Sequence, residues 1–286
     1  MVRLISNTVT IRDVAEAAGV SISLVSFVLN AKKGPNGEYL CSASKETAER
    51  IVDTAKRLGY KKNMAASSLR SGFSNTLGIV VADISNSFFG EVCRHIENIS
   101  ARAGYLSIFG SSDDNPEKMC QLLNRFIATG VDGLIVAPCA HTEKLLSDIV
   151  RNSVPVVIFD RDLENLAGVG KVMMDNEYAG RQATRHLIEN GHKKIEMVRY
   201  QSDIPTILQR FTGYRKEMEE NGLACYVKDN IISKPTIGID MVDVIKNSYD
   251  RGVDALIFPS NVLTVKGLTA INSLGYKIPD DFGVVG

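Results

Sequence analysis

The hydrophobic pattern of the chain changes character once, near residue 75, and that change sets two separate folding problems. Upstream, apolar residues recur only at helical spacing. Downstream of Thr76, short apolar runs alternate with helix-length amphipathic stretches. Strands separated by helices of about 10–15 residues join most simply as βαβ crossovers, so an α/β body of parallel sheet is expected behind a small all-α head. Expected strands are Leu77–Ala82, Leu106–Phe109, Gly133–Ala137, Val154–Phe159, Lys171–Met174, Lys194–Val198, Ala255–Phe258 and Phe282–Val285. Val92, Ile96, Ile99 and Ala103 mark one intervening helix face. Leu122, Phe126 and Thr129 mark a weaker one, as do Leu145, Ile149 and Asn152. A length of 286 residues leaves room for about two domains.

In the head, Thr10 precedes Ile11, Val14, Ala15 and Ala18, an i, i+3, i+4, i+7 series. Thr10 can cap that helix while Asp13 reaches back to the cap amide. Gly19 ends it in a left-handed turn, and Ser21 caps a second helix in which Val25, Val28 and Leu29 share a face. Two helices joined only by Gly19-Val20-Ser21 form a helix-turn-helix, whose second member is free to enter a major groove. A third helix follows Ser44 over roughly 45–58, with Ala48, Ile51, Val52, Ala55 and Leu58 inward. Overall charge is zero, yet residues 1–75 hold 11 Lys and Arg against 6 Asp and Glu, and the rest 22 against 27. A basic head on an acidic body suits a polyanionic partner for the head alone, and a merely solvated surface is the plainer alternative.

The run Thr10-Ile11-Arg12-Asp13-Val14-Ala15-Glu16-Ala17-Ala18-Gly19-Val20-Ser21, with Val25-Ser26 and Val28-Leu29-Asn30, resembles the head of the LacI/GalR family of bacterial transcription regulators. The likeness continues through Leu58-Gly59-Tyr60, Asn63, Ala66 and Leu69. In the body it takes in Ser85-Asn86-Ser87-Phe88-Phe89, Asp160-Arg161, Asp175-Asn176, Arg210-Phe211-Thr212-Gly213-Tyr214 and Pro279-Asp280. The resemblance implies a helix-turn-helix head over 8–62 and a hinge helix with linker over 63–75. It further implies a two-lobed, periplasmic-binding-protein-like body over 76–286, incomplete at its C-terminus. The implied protein is a cytoplasmic homodimer and a repressor. It would bind double-stranded, palindromic operator DNA with an affinity modulated by a small effector such as a sugar. Dimer symmetry would then dictate operator symmetry. The implied DNA-facing residues are Thr10, Ser21, Ile22, Ser23, Ser26, Phe27 and Asn30, then Asn63, Ala66 and Leu69 of the hinge. Leu69 takes the place of a leucine that wedges between base pairs in the minor groove. Read from the residues alone, Leu69 packs on the body instead.

The head departs from the family pattern at Phe27, where relatives very often carry Arg. Phe cannot donate to guanine and offers only apolar contact, for example to a thymine methyl, unless it joins the small core. The link from Asn30 to Ser44 encloses 13 residues, more than is usual, with Lys32, Lys33 and a Gly34-Pro35-Asn36-Gly37 turn signature. Its lysines either add phosphate contacts or the loop is a tolerated insertion. Lys62 replaces the proline that commonly opens the hinge.

In open parallel sheets, ligands lie beyond the carboxyl ends of the strands. Asp83, Asn86, Ser111 to Asp114, Asp160 and Arg161 all follow such ends, while Arg210 sits at the start of a later helix and Asn261 just after the last complete strand–helix crossing. The expected effector set is Asn86, Phe88, Asp160, Arg161, Arg210 and Asn261. Carboxylate and guanidinium planes hold vicinal hydroxyls bidentately, and Phe88 or Phe89 can stack on a sugar face, the resemblance implying Phe88. Asp160 and Asp175 are equally suited to binding loop amides. Val262 stands where relatives often have Asp, so no particular sugar carries over.

The 5 cysteines form no CxxC pair and the 4 histidines are dispersed, so neither a metal nor a cofactor is expected. The sequence has no GxGxxG after the first strand, no Walker motif and no GxSxG elbow, which leaves nucleotide binding and catalysis without support. It has no apolar run of about 18 residues and no secretory-type N-terminus, so neither a membrane span nor export is expected. Two rival readings are a solute-binding protein using the same two-lobed body and a sugar-modifying enzyme, which would turn its ligand over.

Overall fold

Side-chain caps fix where the first helices begin. The computed structural model describes residues 9–31, 43–61, 72–163, 165–201, 205–233 and 237–286. They fall into two units, Met1–Ser74 and Asn75–Gly286. In the first unit, α1 spans Ile11–Ala18, α2 Ile22–Asn30 and α3 Lys45–Leu58. The Thr10 hydroxyl accepts from the Asp13 amide while the Asp13 carboxylate accepts from the Thr10 amide at 2.7 Å, a reciprocal capping box. Gly19 then takes φ +65°, where a side chain would be strained, and the chain re-enters helix at an angle of 106°. Val14, Ala15, Ala18, Val25, Val28, Ala48, Ile51 and Ala55 make the buried core of this unit.

The second unit contains two parallel sheets. In the first lobe β1 is Thr76–Val81, β2 Leu106–Ser111, β3 Gly133–Val136, β4 Val156–Phe159 and β5 Gly170–Val172, in the order β2-β1-β3-β4-β5. In the second, β6 is Ile195–Tyr200, β7 Asp229–Ile232, β8 Ala255–Ile257 and β9 Gly283–Val285, in the order β7-β6-β8-β9. Between them run α4 (Ser87–Arg102), α5 (Pro116–Ala128), α6 (Glu143–Arg151), α7 (Asn176–Glu189), α8 (Pro205–Glu220), α9 (Ile237–Asp250) and α10 (Asn261–Ser273). Each lobe reverses its strand order beside its first strand, which opens a crevice at the carboxyl ends of β1 and β3 and of β6 and β8.

The eight expected strands are present with ends shifted by one or two residues, and β7 is an addition. One helix face needs correction. Ile99 is 67 % exposed, because α4 turns Phe89, Cys93, Ile96 and Ser100 inward, a series out of phase with Ile99. In α5 the fully buried pair is Met119 and Leu123, with Leu122 and Phe126 only partly covered.

Helices α7 and α8 meet with almost no space between their backbones. A Cβ on Gly180 would lie 2.0 Å from the Arg210 carbonyl oxygen, and one on Gly213 would lie 2.0 Å from that of Glu177. Beside this crossing the Glu217 side chain, only 3 % exposed, accepts from Arg185 Nε at 2.8 Å and from Arg181 Nη1 at 3.1 Å. The hydrogen bond from Arg185 is the main reason its carboxyl is held below the usual range. A depressed folded-state value makes this contribution full above the unfolded carboxyl range, near about 4.3, and removes it as pH falls through the folded one. Glu217→Gln should therefore lower the thermal midpoint at neutral pH, with the gap to the parent closing in acid. A gap that is constant from pH 7 to 3 would contradict this.

Candidate DNA-facing helix and ligand pocket

The nine residues of α2, Ile-Ser-Leu-Val-Ser-Phe-Val-Leu-Asn, include no charged side chain. Val25 and Val28 are buried, with Leu24 and Leu29 packed against the same core. At 100° per residue this leaves Ile22, Ser23, Ser26 and Phe27 on the opposite arc. Phe27 is 52 % exposed and Ile22 42 %, so Phe27 does not join the head core. Thr10 and Ser21 spend their hydroxyls on caps, the latter accepting from the Leu24 amide at 3.2 Å. Asn30 Nδ2 donates to the Ser26 carbonyl at 2.6 Å. Lys32, Lys33, the Gly34–Gly37 turn, Lys62, Asn63, Ala66 and Leu69 lie outside the described residues.

In the body, Asn86, Phe88, Asp160, Arg161, Arg210 and Asn261 all line one pocket of about 170 Å³, joined by Phe89, Tyr200, Thr206, Ile207 and Ser260. Topology puts them there. Asn86 caps α4 after β1, Asp160 follows β4, Tyr200 ends β6, Thr206 and Arg210 lie on α8, and Asn261 opens α10 after β8. Asn261 Nδ2 donates to Asn86 Oδ1 at 2.7 Å and to Ser87 Oγ at 3.0 Å, tying the two lobes together across the crevice. Thr206 Oγ1 donates to the Asp160 carbonyl at 3.1 Å and makes a second tie.

Arg210 is fixed by donation from Nε to Asn176 Oδ1 at 2.9 Å and from Nη1 to the Pro259 carbonyl at 2.5 Å. Among the described residues Nη2 has no such partner. Arg161 is deeply buried, donates to Asp114 and lies with its Nε 3.5 Å from Asp160 Oδ2. Burial pushes the Asp160 carboxyl up, and the two neighbouring guanidiniums, Arg161 first, oppose that rise. Asp160 also takes φ +66°, a left-handed backbone that costs an ordinary side chain about 1 kcal/mol. Phe88 meets Phe89 edge-on at 5.0 Å and is itself half-exposed to the pocket.

Other carboxylates singled out in the sequence have local duties. Asp175 caps α7 by accepting from the Tyr178 amide, Asp83 accepts from Ser85, and Asp113 accepts from Ser111 and Lys118. Sequence reasoning missed Tyr200, Thr206 and Ser260. Tyr200 ends β6 and Ser260 lies in the turn beyond β8, where the crevice rule pointed, whereas Thr206 sits in the first turn of α8. Among the described residues no group of His, Cys, Asp and Glu could hold a metal ion, and no single helix is long and apolar enough to cross a membrane.

A helix-turn-helix head attached to twin parallel sheets with a polar crevice is the build of a DNA-binding protein that also senses a small molecule. Residues 10–63 match the family of bacterial regulatory proteins of the lacI type, and residues 77–286 match the periplasmic binding protein domain. The chain is 31 % identical over 283 residues to catabolite control protein A of Priestia megaterium, covering 97 % of this chain and 82 % of that one. It is 30 % identical over 280 residues to the ribose operon repressor of Halalkalibacterium halodurans, covering 97 % and 79 %. A crystal structure of a LacI-family transcriptional regulator from Silicibacter pomeroyi superposes with a TM-score of 0.75 at 25 % identity, over 97 % of this chain and 81 % of the other. The chain therefore belongs to the LacI family: it is a DNA-binding transcriptional regulator with an effector-binding body. Its relatives are named as regulators and not as enzymes, and the solute-binding alternative is not favoured.

Proposed function

We propose that the protein is a cytoplasmic repressor that grips a palindromic operator as a homodimer and changes its grip when a neutral, hydroxyl-rich molecule, a sugar, fills the pocket. In this reading residues 8–62 form the DNA-binding head, 63–75 the hinge and 76–286 the sensing body. Ser23, Ser26, Ile22 and Phe27 face base edges. Thr10, Ser21 and Asn30 lie near the backbone, and Asn63, Ala66 and Leu69 act in the minor groove.

The observation that carries the ligand class is charge balance. Arg161 and Arg210 are answered by Asp114 and Asp160, so the lining offers directional hydrogen bonds with no surplus charge for an ion. Asn86, Asn261 and Arg210 Nη2 supply donors and acceptors around the half-exposed ring of Phe88. The relative named for the ribose operon fits this class. Ligand in the crevice must displace or reuse the Asn261–Asn86 tie, so it favours one relation of the lobes over another. That differential affinity is what couples the two functions.

Two measurements test the reading. The full chain should enrich a two-fold symmetric sequence from a randomised duplex pool. At least one monosaccharide from a broad panel should raise its thermal midpoint and shift its affinity for that duplex, typically by about 5–150-fold. Failure to enrich any duplex would end the operator reading. A panel that leaves the midpoint unmoved would end the sugar reading.

A further inference from the structure

We infer that α2 reads its operator through thymine methyl groups rather than guanine edges, with Phe27 and Ile22 as the two reading side chains. The inference rests on the DNA-binding reading above and goes beyond it by naming what the helix recognises. The major-groove edge of guanine presents two acceptors and calls for a forked or charged donor, whereas that of thymine presents an acceptor and a methyl. No side chain of α2 carries a charge or a guanidinium fork. Adenine calls for a bidentate amide. The only amide on α2 is that of Asn30, whose Nδ2 is spent within its own helix, on the Ser26 carbonyl at 2.6 Å and the Ser26 hydroxyl at 3.4 Å.

The large side chains that α2 presents are apolar, and the two serines between them offer only single hydroxyls that do not discriminate among bases. Its other large apolar side chains turn into the head core, while Phe27 and Ile22 stand in solvent at 52 % and 42 % exposure. They are five residues apart, hence about 7.5 Å along the axis and about 140° around it. These are the two borders of the outward arc, with Ser23 and Ser26 between them. At about 3.4 Å per base pair, that separation spans about two base-pair steps. A helix lying in the groove would therefore bring each side chain to a different pair. Basic residues elsewhere in the head supply phosphate attraction, which positions the helix without choosing the sequence.

The test begins with the duplex enriched from a random pool by the full chain. Each thymine of a half-site is then replaced singly by deoxyuridine, which removes the methyl and nothing else. Two positions about two base pairs apart should each lose about three- to fivefold in affinity, the value of burying one methyl. Phe27→Ala should abolish the methyl effect at one of them and Ile22→Ala at the other. Neither residue belongs to the head core, and the deoxyuridine series on the unaltered protein needs no variant at all. An enriched duplex indifferent to every thymine methyl overturns the inference and leaves DNA binding standing. So does a Phe27→Ala protein that keeps the full effect at both positions. No enrichment removes this inference together with the reading beneath it.

Discussion

Gly213→Ala should destabilise the body by about 3 kcal/mol or more, at the upper end of what overpacking usually costs. The added Cβ would meet the Glu177 carbonyl oxygen at 2.0 Å and the Arg181 amide nitrogen at 2.9 Å. Both are backbone atoms of α7, so no side chain can rotate away and the two helices must separate. Separation also pulls on Glu217, which holds Arg185 and Arg181 across the same contact. For a unit of this size, each kcal/mol moves the thermal midpoint by roughly 2–4 °C, so a fall of about 6–12 °C is expected. Gly180→Ala, which drives a Cβ toward the Arg210 carbonyl, should do the same. A midpoint within about 2 °C of the parent for both variants would mean that the helices tolerate a wider spacing than this packing implies.

Neither glycine is legible as a close approach from the sequence. Gly213 appears there only within the stretch Arg210–Tyr214 and Gly180 not at all, because a missing Cβ announces nothing about what lies opposite. The head is the contrasting case. Thr10, Asp13, Gly19 and Ser21 act on backbone atoms no more than a few residues away, so their geometry follows from order along the chain, as the capping box and the +65° turn illustrate. The apolar strands are readable for a related reason, since parallel strands buried on both faces need continuous runs. Strand β7, with Asp229 and Asn230 in a four-residue edge position, has no such run. Ile99 falls outside although it fits a helical period, because the period defines a set of directions and the sheet decides which one is inside. The pocket was half readable. The crevice rule located Asn86, Asp160 and Asn261, but the bond between Asn86 and Asn261 joins residues 175 positions apart, and only the strand order brings them together.

Arg210→Ala should abolish the effector response while leaving operator affinity without ligand unchanged within about twofold. Arg210 is held on two sides, by Asn176 and by the Pro259 carbonyl, with Nη2 left for whatever enters the pocket. A hydrogen bond from a charged donor is worth about 1.5–3 kcal/mol, so ligand affinity should fall about 10–100-fold. Arg210→Lys keeps the charge, but an ammonium cannot meet Asn176, Pro259 and a ligand at once in their fixed plane, and its loss should be nearly as large. The pH profile separates a binding role from a merely structural one. Burial already raises the Asp160 carboxyl, and Arg210 is one of the two cations that oppose the rise. In Arg210→Ala that opposition is weakened, so Asp160 takes up its proton at higher pH and residual ligand binding should fade earlier on acidification. Arg210→Lys should retain the parent's profile despite its weaker binding. Ligand affinity that survives both substitutions would mean the effector contacts other walls of the crevice.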